Sequence, residues 1–183
     1  MANTQITPDF MKAFLFETET KWASGKINNG VYGFQFQPGM KWNPGLSQEE
    51  INSYQSVLGI PFPKDLVTFL QYANGTDQKT VNVYDDDGNP HAYASGVYRY
   101  PHDIEAIKQR IEWLAEDWEA ALESLKLEAD VLGKNPKFAP IYSHRYVLCN
   151  GNPDSSIVCS IQGSDAIVYG SSLKEYLQNE FLS

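Results

Sequence analysis

An acidic turn in the middle of the chain has the residue spacing most suggestive of chemistry. Asp85, Asp87 and Asn89 alternate in the way that the first ligands of a calcium-binding loop do. The rest of the pattern departs from such a loop. Pro90 stands where a glycine must make the sharp turn, and Gly96 stands where a bidentate glutamate must close the site. The sequence therefore favours a solvated turn over a calcium site.

The other titratable and nucleophilic residues form no catalytic or metal-binding pattern. The three histidines, at positions 91, 102 and 144, lack the close spacing of zinc ligands. Ser143 and His144 are adjacent, but neighbours on a predicted strand point to opposite faces and cannot act as nucleophile and base. The chain has no nucleophile elbow, phosphate-binding loop or dinucleotide fingerprint, and Glu112 with Glu116 suits a solvated helix face. We expect neither enzymatic activity nor a cofactor.

Composition narrows the range of partners. The net charge of −9 and the sequence pI of about 4.7 weigh against nucleic-acid binding, which depends on neutralising phosphates with Lys and Arg. A basic protein partner suits an acidic chain better. No stretch approaches the ~20 apolar residues that span a bilayer, and no leader opens the chain, so we expect a cytoplasmic protein without membrane contact. Cys149 and Cys159 lie in apolar, strand-like runs and are expected to be buried thiols.

Two features are candidates for contact with a protein partner. Asp85, Asp86 and Asp87 concentrate three like charges in one turn, and a basic partner would relieve their repulsion. Trp42 lies in a loop rich in Pro and Gly, where an exposed ring could anchor an interface. Partial burial is the alternative for Trp42, and the sequence leaves both open.

The elements around these features begin with a helical corner. Ser47 and Glu50 form a capping box that starts a helix ending near Gly59. Pro63 suits the first position of the next helix, which we expect Asn74-Gly75 to end. The apolar stripe of that helix is Leu66, Phe69, Leu70 and Ala73.

The remaining segments predict a mixed domain. We expect one long helix to start at residue 103 and to end before Gly133, with Trp118 on its buried face. The other predicted elements are a helix over 8–24, strands over 31–37, 80–84 and 138–149, a hairpin of 156–161 with 165–169, and a helix after Ser172. The pattern predicts one α+β domain over residues 1–183, with a mostly antiparallel sheet covered on one face by helices.

Three blocks of the sequence resemble one family. The segment LGIPFPKDLVTFLQYANGTD, residues 58–77, has the order helix, LG, aliphatic, Pro, x, Pro, helix, NG. This order is similar to the SUKH superfamily, named for fungal cell-wall regulators of the Smi/Knr type and the bacterial proteins resembling them. The blocks PIYSHRY, residues 140–146, and IVCSIQGSDAIVYGSSLKEYLQNEF, residues 157–181, resemble its bacterial branch, whereas residues 80–137 align only loosely.

The resemblance implies a function by binding. Bacterial SUKH proteins commonly act as immunity proteins that bind and neutralise a toxin domain, often a nuclease. The fungal members imply an alternative, a non-catalytic scaffold for signalling or cell-wall-synthesis proteins. With either function, the expected partner is a protein, and we expect the chain itself to be a monomer or a weak homodimer.

Overall fold

Helices and strands are interspersed along the described part of the chain. The computed structural model describes residues 5–28, 30–31, 33–83, 90–91 and 96–183. The helices within these residues are α1 Pro8–Ala23, α2 Gln48–Leu58, α3 Lys64–Tyr72, α4 Ile104–Glu116, α5 Trp118–Leu125, α6 Ala129–Leu132 and α7 Leu173–Phe181. The strands there are β1 Gly33–Gln35, β2 Trp42–Pro44, β3 Ala73–Thr76, β4 Val81–Val83, β5 Pro90–His91, β6 Lys137–Tyr142, β7 Arg145–Cys149, β8 Val158–Gln162 and β9 Asp165–Gly170. The predicted α+β class is confirmed.

Every described strand pair is antiparallel. The largest sheet has the order β6-β7-β8-β9, a meander in which each strand pairs with the next along the chain. A three-stranded sheet, β1-β4-β5, and a two-stranded sheet, β2-β3, complete the described strands. The meander provides the platform on which the helices pack.

The two faces of the meander carry different hydrophobic cores. Along β7, Val147 and Cys149 face one core while Tyr146 and Leu148 face the other, as the period of a strand requires. The main core includes Met11, Phe14, Ile51, Leu66, Leu70, Val147, Leu173 and Phe181. The second core is Leu114, Ala121, Leu125, Phe138, Tyr146, Leu148, Cys159, Ile161 and Ala166.

Helices therefore cover both faces of the meander, which corrects the expectation of one covered face. Helices α1, α2, α3 and α7 contribute to the main core and α5 contributes to the second core, while α4 contributes Ile107 to the main core and Leu114 to the second. The physical reason lies in β7, where four consecutive residues after Arg145 are buried. Both cysteines are free and buried, and burial raises the pKa of each thiol to about 12.

The helical corner forms as its end signals predict. Ser47 Oγ accepts from the Glu50 N–H at 3.2 Å, and Glu50 Oε2 accepts from the Ser47 N–H at 2.8 Å. Helix α2 then ends at Gly59, whose φ of 62° is left-handed and favours glycine. Gln55 Oε1 accepts from the Phe62 N–H at 2.7 Å, which fixes the turn into α3. Pro63 is the N-cap of α3, one residue before the position predicted for it.

The end of α3 differs from the prediction. Helix α3 ends at Tyr72, and Asn74-Gly75 continue as part of strand β3. The Asn74 side chain accepts from the Tyr100 N–H and donates to the Tyr100 carbonyl, at 2.9 and 2.7 Å. At Gly75 the φ is +72°, and a Cβ would lie 2.8 Å from the Val97 carbonyl oxygen. These residues serve a close approach of two chain segments rather than a helix stop.

A buried carboxylate ties distant parts of the chain together. Asp65 is 7% exposed and accepts from the Ile6 N–H at 2.8 Å and from Ser156 Oγ at 2.6 Å. Ser156 Oγ in turn accepts from the Leu173 N–H at 3.1 Å. The network joins the segment before α1, the start of α3 and the start of α7. Asp65 thus has a tertiary role in addition to its place beside the helix dipole.

Two predicted long elements are each divided in two. The helix expected from residue 103 breaks at Asp117, between α4 and α5. The strand expected over 138–149 is the hairpin of β6 and β7, which turns at Ser143 with a φ of 50°. No glycine or proline stands at either break, so the sequence carries no local signal for them.

Candidate partner-binding surface

The predicted site residues do not form a surface in the described part of the chain. Asp85, Asp86 and Asp87 lie outside the described residues, so the structure does not place them. Trp42 is 8% exposed and belongs to the main core. Trp42 is therefore buried, whereas an interface anchor would have to be exposed.

The burial of Trp42 has a specific cause. Its indole Nε1 donates to Thr18 Oγ1 at 2.8 Å, so the polar atom of the ring is satisfied inside the core. The ring centroids of Trp22 and Phe181 both lie 5.3 Å from that of Trp42. The loop rich in Pro and Gly forms strand β2, whose pairing with β3 brings this ring between α1 and α7.

An apolar groove lies instead between the end of α2, helix α4, the start of α5 and the start of β6. Its volume is about 510 Å³. The residues that line it include Leu58, Ile60, Ile111, Leu114, Trp118 and Phe138. The groove therefore joins the end of the helical corner to the second core, although these segments are far apart in the sequence.

The floor of the groove is firm and its walls are partly exposed. Leu114 and Phe138 are buried in the second core, whereas Ile111 and Trp118 are only partly buried. The Trp118 ring packs edge-on against Phe138, with centroids 5.6 Å apart and an interplanar angle of 78°. The break at Asp117 separates Leu114 on the floor from Trp118 on the wall. An aromatic wall above a packed floor is suited to receiving an apolar side chain.

The rim of the groove is acidic. Glu116, Asp117 and Glu119 are exposed and line a second hollow that shares Ala115 and Trp118 with the groove. We call these three residues the acidic rim. They flank Trp118 on both sides along the chain, so negative charge lies directly beside apolar surface.

A single lysine is the cation that lines the groove. Lys137 Nζ donates to the carbonyl oxygen of Gly59, at the carboxyl end of α2. A cation there also complements the negative end of the helix dipole. Its ammonium group lies at the end of α2, whereas the acidic rim is negatively charged.

Comparison with known families identifies the fold. The model of the SMI1 / KNR4 family (SUKH-1) matches residues 45–179, more than half of the chain. The chain belongs to the SUKH-1 family. The resemblance inferred from the sequence is thereby confirmed. No curated protein matches the chain. The match runs from just before α2 into α7, so the groove lies within the SUKH-1 part of the molecule.

This SUKH-1 domain also contains a polar cluster around Arg145 on the meander. The Arg145 guanidinium lies 4.0 Å from the centroid of the Tyr169 ring and donates to Ser160 Oγ at 2.8 Å. Its Nε lies 3.7 Å from Glu180 Oε2 of α7, and both side chains are mostly buried. Burial raises the pKa of Glu180, and the nearby arginine opposes that change. The cluster links β7, β8, β9 and α7.

The Ser143-His144 pair is closer than the sequence predicted. Because these residues occupy a turn, Ser143 Oγ lies 3.1 Å from His144 Nδ1. His144 Nε2 contacts Arg145. Burial and the charges of Arg145 and Arg110 lower the pKa of His144 to about 4. An imidazole with this pKa is a weak base at neutral pH.

The described residues contain neither a candidate metal site nor a candidate membrane-spanning helix. No group of three or more His, Cys, Asp or Glu side chains has an arrangement that could hold a metal ion. No described helix combines the length and the hydropathy that crossing a membrane requires.

The sequence reasoning missed the groove as a site. It assigned Trp118 to a buried helix face and treated the glutamates of the same helix as solvated. The available signal was the run Glu116-Asp117-Trp118-Glu119, in which a large aromatic residue stands among acids. Its partners Leu58 and Ile60 are about 60 positions earlier in the chain, and only the fold brings them together.

Proposed function

We propose that this protein is a cytoplasmic immunity protein that neutralises a bacterial nuclease toxin domain by direct binding. Its SUKH-1 membership supports this function, since the bacterial branch of the superfamily supplies immunity proteins. The acidic rim beside an apolar groove is the observation that carries the proposal, because nuclease domains present basic surfaces to phosphates. Charge complementarity of this kind accelerates encounter and selects the partner.

The proposed action is stoichiometric and not catalytic. A binding protein needs a complementary surface and no nucleophile, base or cofactor. We further expect the purified protein alone to bind neither DNA nor RNA at physiological salt, because its net charge is −9. A salt-sensitive gel shift at micromolar protein would contradict that expectation.

The experiment requires a neighbouring gene that encodes a large secreted protein with a carboxy-terminal toxin domain, and it pairs this chain with that domain. Co-expression should restore growth to bacteria that produce the toxin domain, and the purified proteins should form a 1:1 complex in which toxin activity is abolished. A matched control is an unrelated acidic protein of similar size and charge, which should not protect. Absence of both protection and complex formation would contradict the proposed function.

A regulatory scaffold of the Smi/Knr type is the second candidate. It is favoured by the match to the SMI1 / KNR4 family model itself. The two functions differ in what binding does to the partner. A scaffold leaves the activity of its bound partner intact, whereas an immunity protein abolishes it.

A further inference from the structure

The groove and its acidic rim have the features of one half of a protein interface. We propose that the groove is the docking site for a basic, amphipathic segment of the partner, which places a bulky apolar side chain between Ile111 and Trp118. Lys or Arg residues that flank this side chain pair with Glu116, Asp117 and Glu119. The inference rests on the proposed function and specifies its contact surface.

The size and composition of the groove support an inserted side chain. A volume of about 510 Å³ is within the range of cavities that enclose ligand groups. Trp118 offers a large ring with few rotatable bonds, and its ring already packs against Phe138. Residues of this kind at the centre of an interface contribute most of its binding energy.

The charges of the rim identify the partner as basic. Among the described residues, Glu116, Asp117 and Glu119 have no cationic partner within 4.0 Å. Lys137 does not neutralise them, because its ammonium donates to the Gly59 carbonyl. Three carboxylates beside apolar surface are unsuited to an acidic or purely apolar occupant and are suited to flanking Lys and Arg side chains.

The same charges argue against a second copy of this chain. In a twofold symmetric contact, the same patch of both copies meets itself. With the groove at the centre of such a contact, the acidic rims of the two copies would lie close together, and like charges brought together at an interface repel each other. The geometry therefore selects a partner of different sequence and opposite charge.

The test uses one rim variant, one control variant and one groove variant, each with a catalytically inactive form of the same toxin domain. The rim variant combines Glu116→Gln, Asp117→Asn and Glu119→Gln. Its control combines Asp9→Asn, Glu17→Gln and Asp130→Asn, three exposed acids elsewhere. Both triple variants remove three negative charges, so a difference between them reports position and not net charge. The groove variant is Ala115→Arg, which fills the groove from an exposed position.

Binding kinetics at low salt and at about 0.15 M ionic strength distinguish the outcomes. The rim variant should associate about tenfold more slowly than wild type at low salt and lose most of its salt dependence, while the control stays within about threefold. Ala115→Arg should raise the dissociation rate about 100-fold, since it occupies the anchor position. Circular dichroism melting should confirm that all three variants are folded.

Two results would overturn the inference in different ways. If the wild-type protein binds and inhibits the toxin domain but the rim and groove variants behave like the control, the proposed function holds and the groove is not the contact surface. If the wild-type protein does not bind the toxin domain, the proposed function fails and the inference fails with it.

Discussion

The α2–α3 corner and the α4–α5 layer are both helical pairs, and they bury their apolar residues to different extents. In the corner, Ile51, Leu66 and Leu70 are at most 5% exposed, and Ser47 caps α2 reciprocally with Glu50. In the α4–α5 layer, neither helix has a side-chain cap, and apolar residues remain partly or largely exposed. Helix α3 of the corner also lacks a side-chain cap, and Val57 of α2 is exposed, so the difference lies in the core-facing residues. Their nearly complete burial indicates a structural role, whereas apolar surface that stays exposed beside charge is available for contact.

The difference teaches where substitutions should matter for folding and where they should matter for binding. Corner residues contribute to the free energy of unfolding because their burial is complete. Residues of the α4–α5 layer contribute less to folding, because part of their apolar surface still faces water. Three stability predictions test this division, from the largest expected effect to the smallest.

The largest expected effect is that of Trp42→Ala in the main core. Removing a buried ring that contacts Trp22 and Phe181, together with its hydrogen bond to Thr18, should lower the free energy of unfolding by ~3–5 kcal/mol. The matched change in the α4–α5 layer is Trp113→Ala, whose ring is 47% exposed and should cost less than about 1 kcal/mol. Urea denaturation measures both. Equal costs would remove the distinction between the fully buried main core, which the corner shares with Trp42, and the partly exposed α4–α5 layer.

A smaller effect is expected at the helix caps. Ser47→Ala removes the hydrogen bond to the Glu50 N–H and should cost ~0.5–2 kcal/mol. Asp117→Ala at the start of α5 is the control, because that side chain makes no cap hydrogen bond, and it should change stability by less than about 0.5 kcal/mol. Thermal melts of the two variants give the comparison. A larger loss at Asp117 would mean that the α4–α5 break depends on its side chain.

The smallest expected effect is a pH dependence at the turn between β6 and β7. The pKa of His144 is about 4 in the folded protein, below the ordinary value of 6.5, because of burial and the nearby arginines. Between these values the unfolded chain binds more protons, so stability from this group falls as the pH drops from about 6.5 to about 4. The residue is only half-buried, and solvent screening limits the size of the change.

The measurement for His144 is the free energy of unfolding across that pH range. The His144→Asn variant should lose less stability on acidification than wild type, because it has no imidazole to protonate. Carboxylates titrate in the same range in both proteins, so the difference between the two curves isolates His144. Parallel curves would show that the pKa of His144 is the same in the folded and unfolded states.

Local signals explain why the corner could be predicted from the sequence. A capping box and a left-handed glycine act within a few residues, so Ser47 and Gly59 mark their helix whatever lies around them. The antiparallel pairing and the α+β class followed from alternating patterns of the same short range. The predicted end of α3 was wrong because Asn74-Gly75 contact Val97 and Tyr100, which lie more than 20 positions away in the chain.

The candidate site could not be predicted for a related reason. Burial of Trp42 depends on Thr18 and Phe181, which only the folded chain brings to it. The groove depends on the break at Asp117, a residue with no strong local preference for ending a helix. Exposure and concavity are properties of the whole fold, and periodicity in a single segment reports neither.

Strand β7 has one more consequence, for how such a protein can change over generations. Its side chains divide between two hydrophobic clusters. Val147 and Cys149 share no cluster with Tyr146 and Leu148, so the free energies of substitutions on the two faces of the strand should add. The groove differs from the strand because both clusters line it: Ile60 belongs to the main core, and Leu114 and Phe138 belong to the second. An exposed position such as Ala115 can therefore diversify with little effect on either core, whereas the floor of the groove cannot.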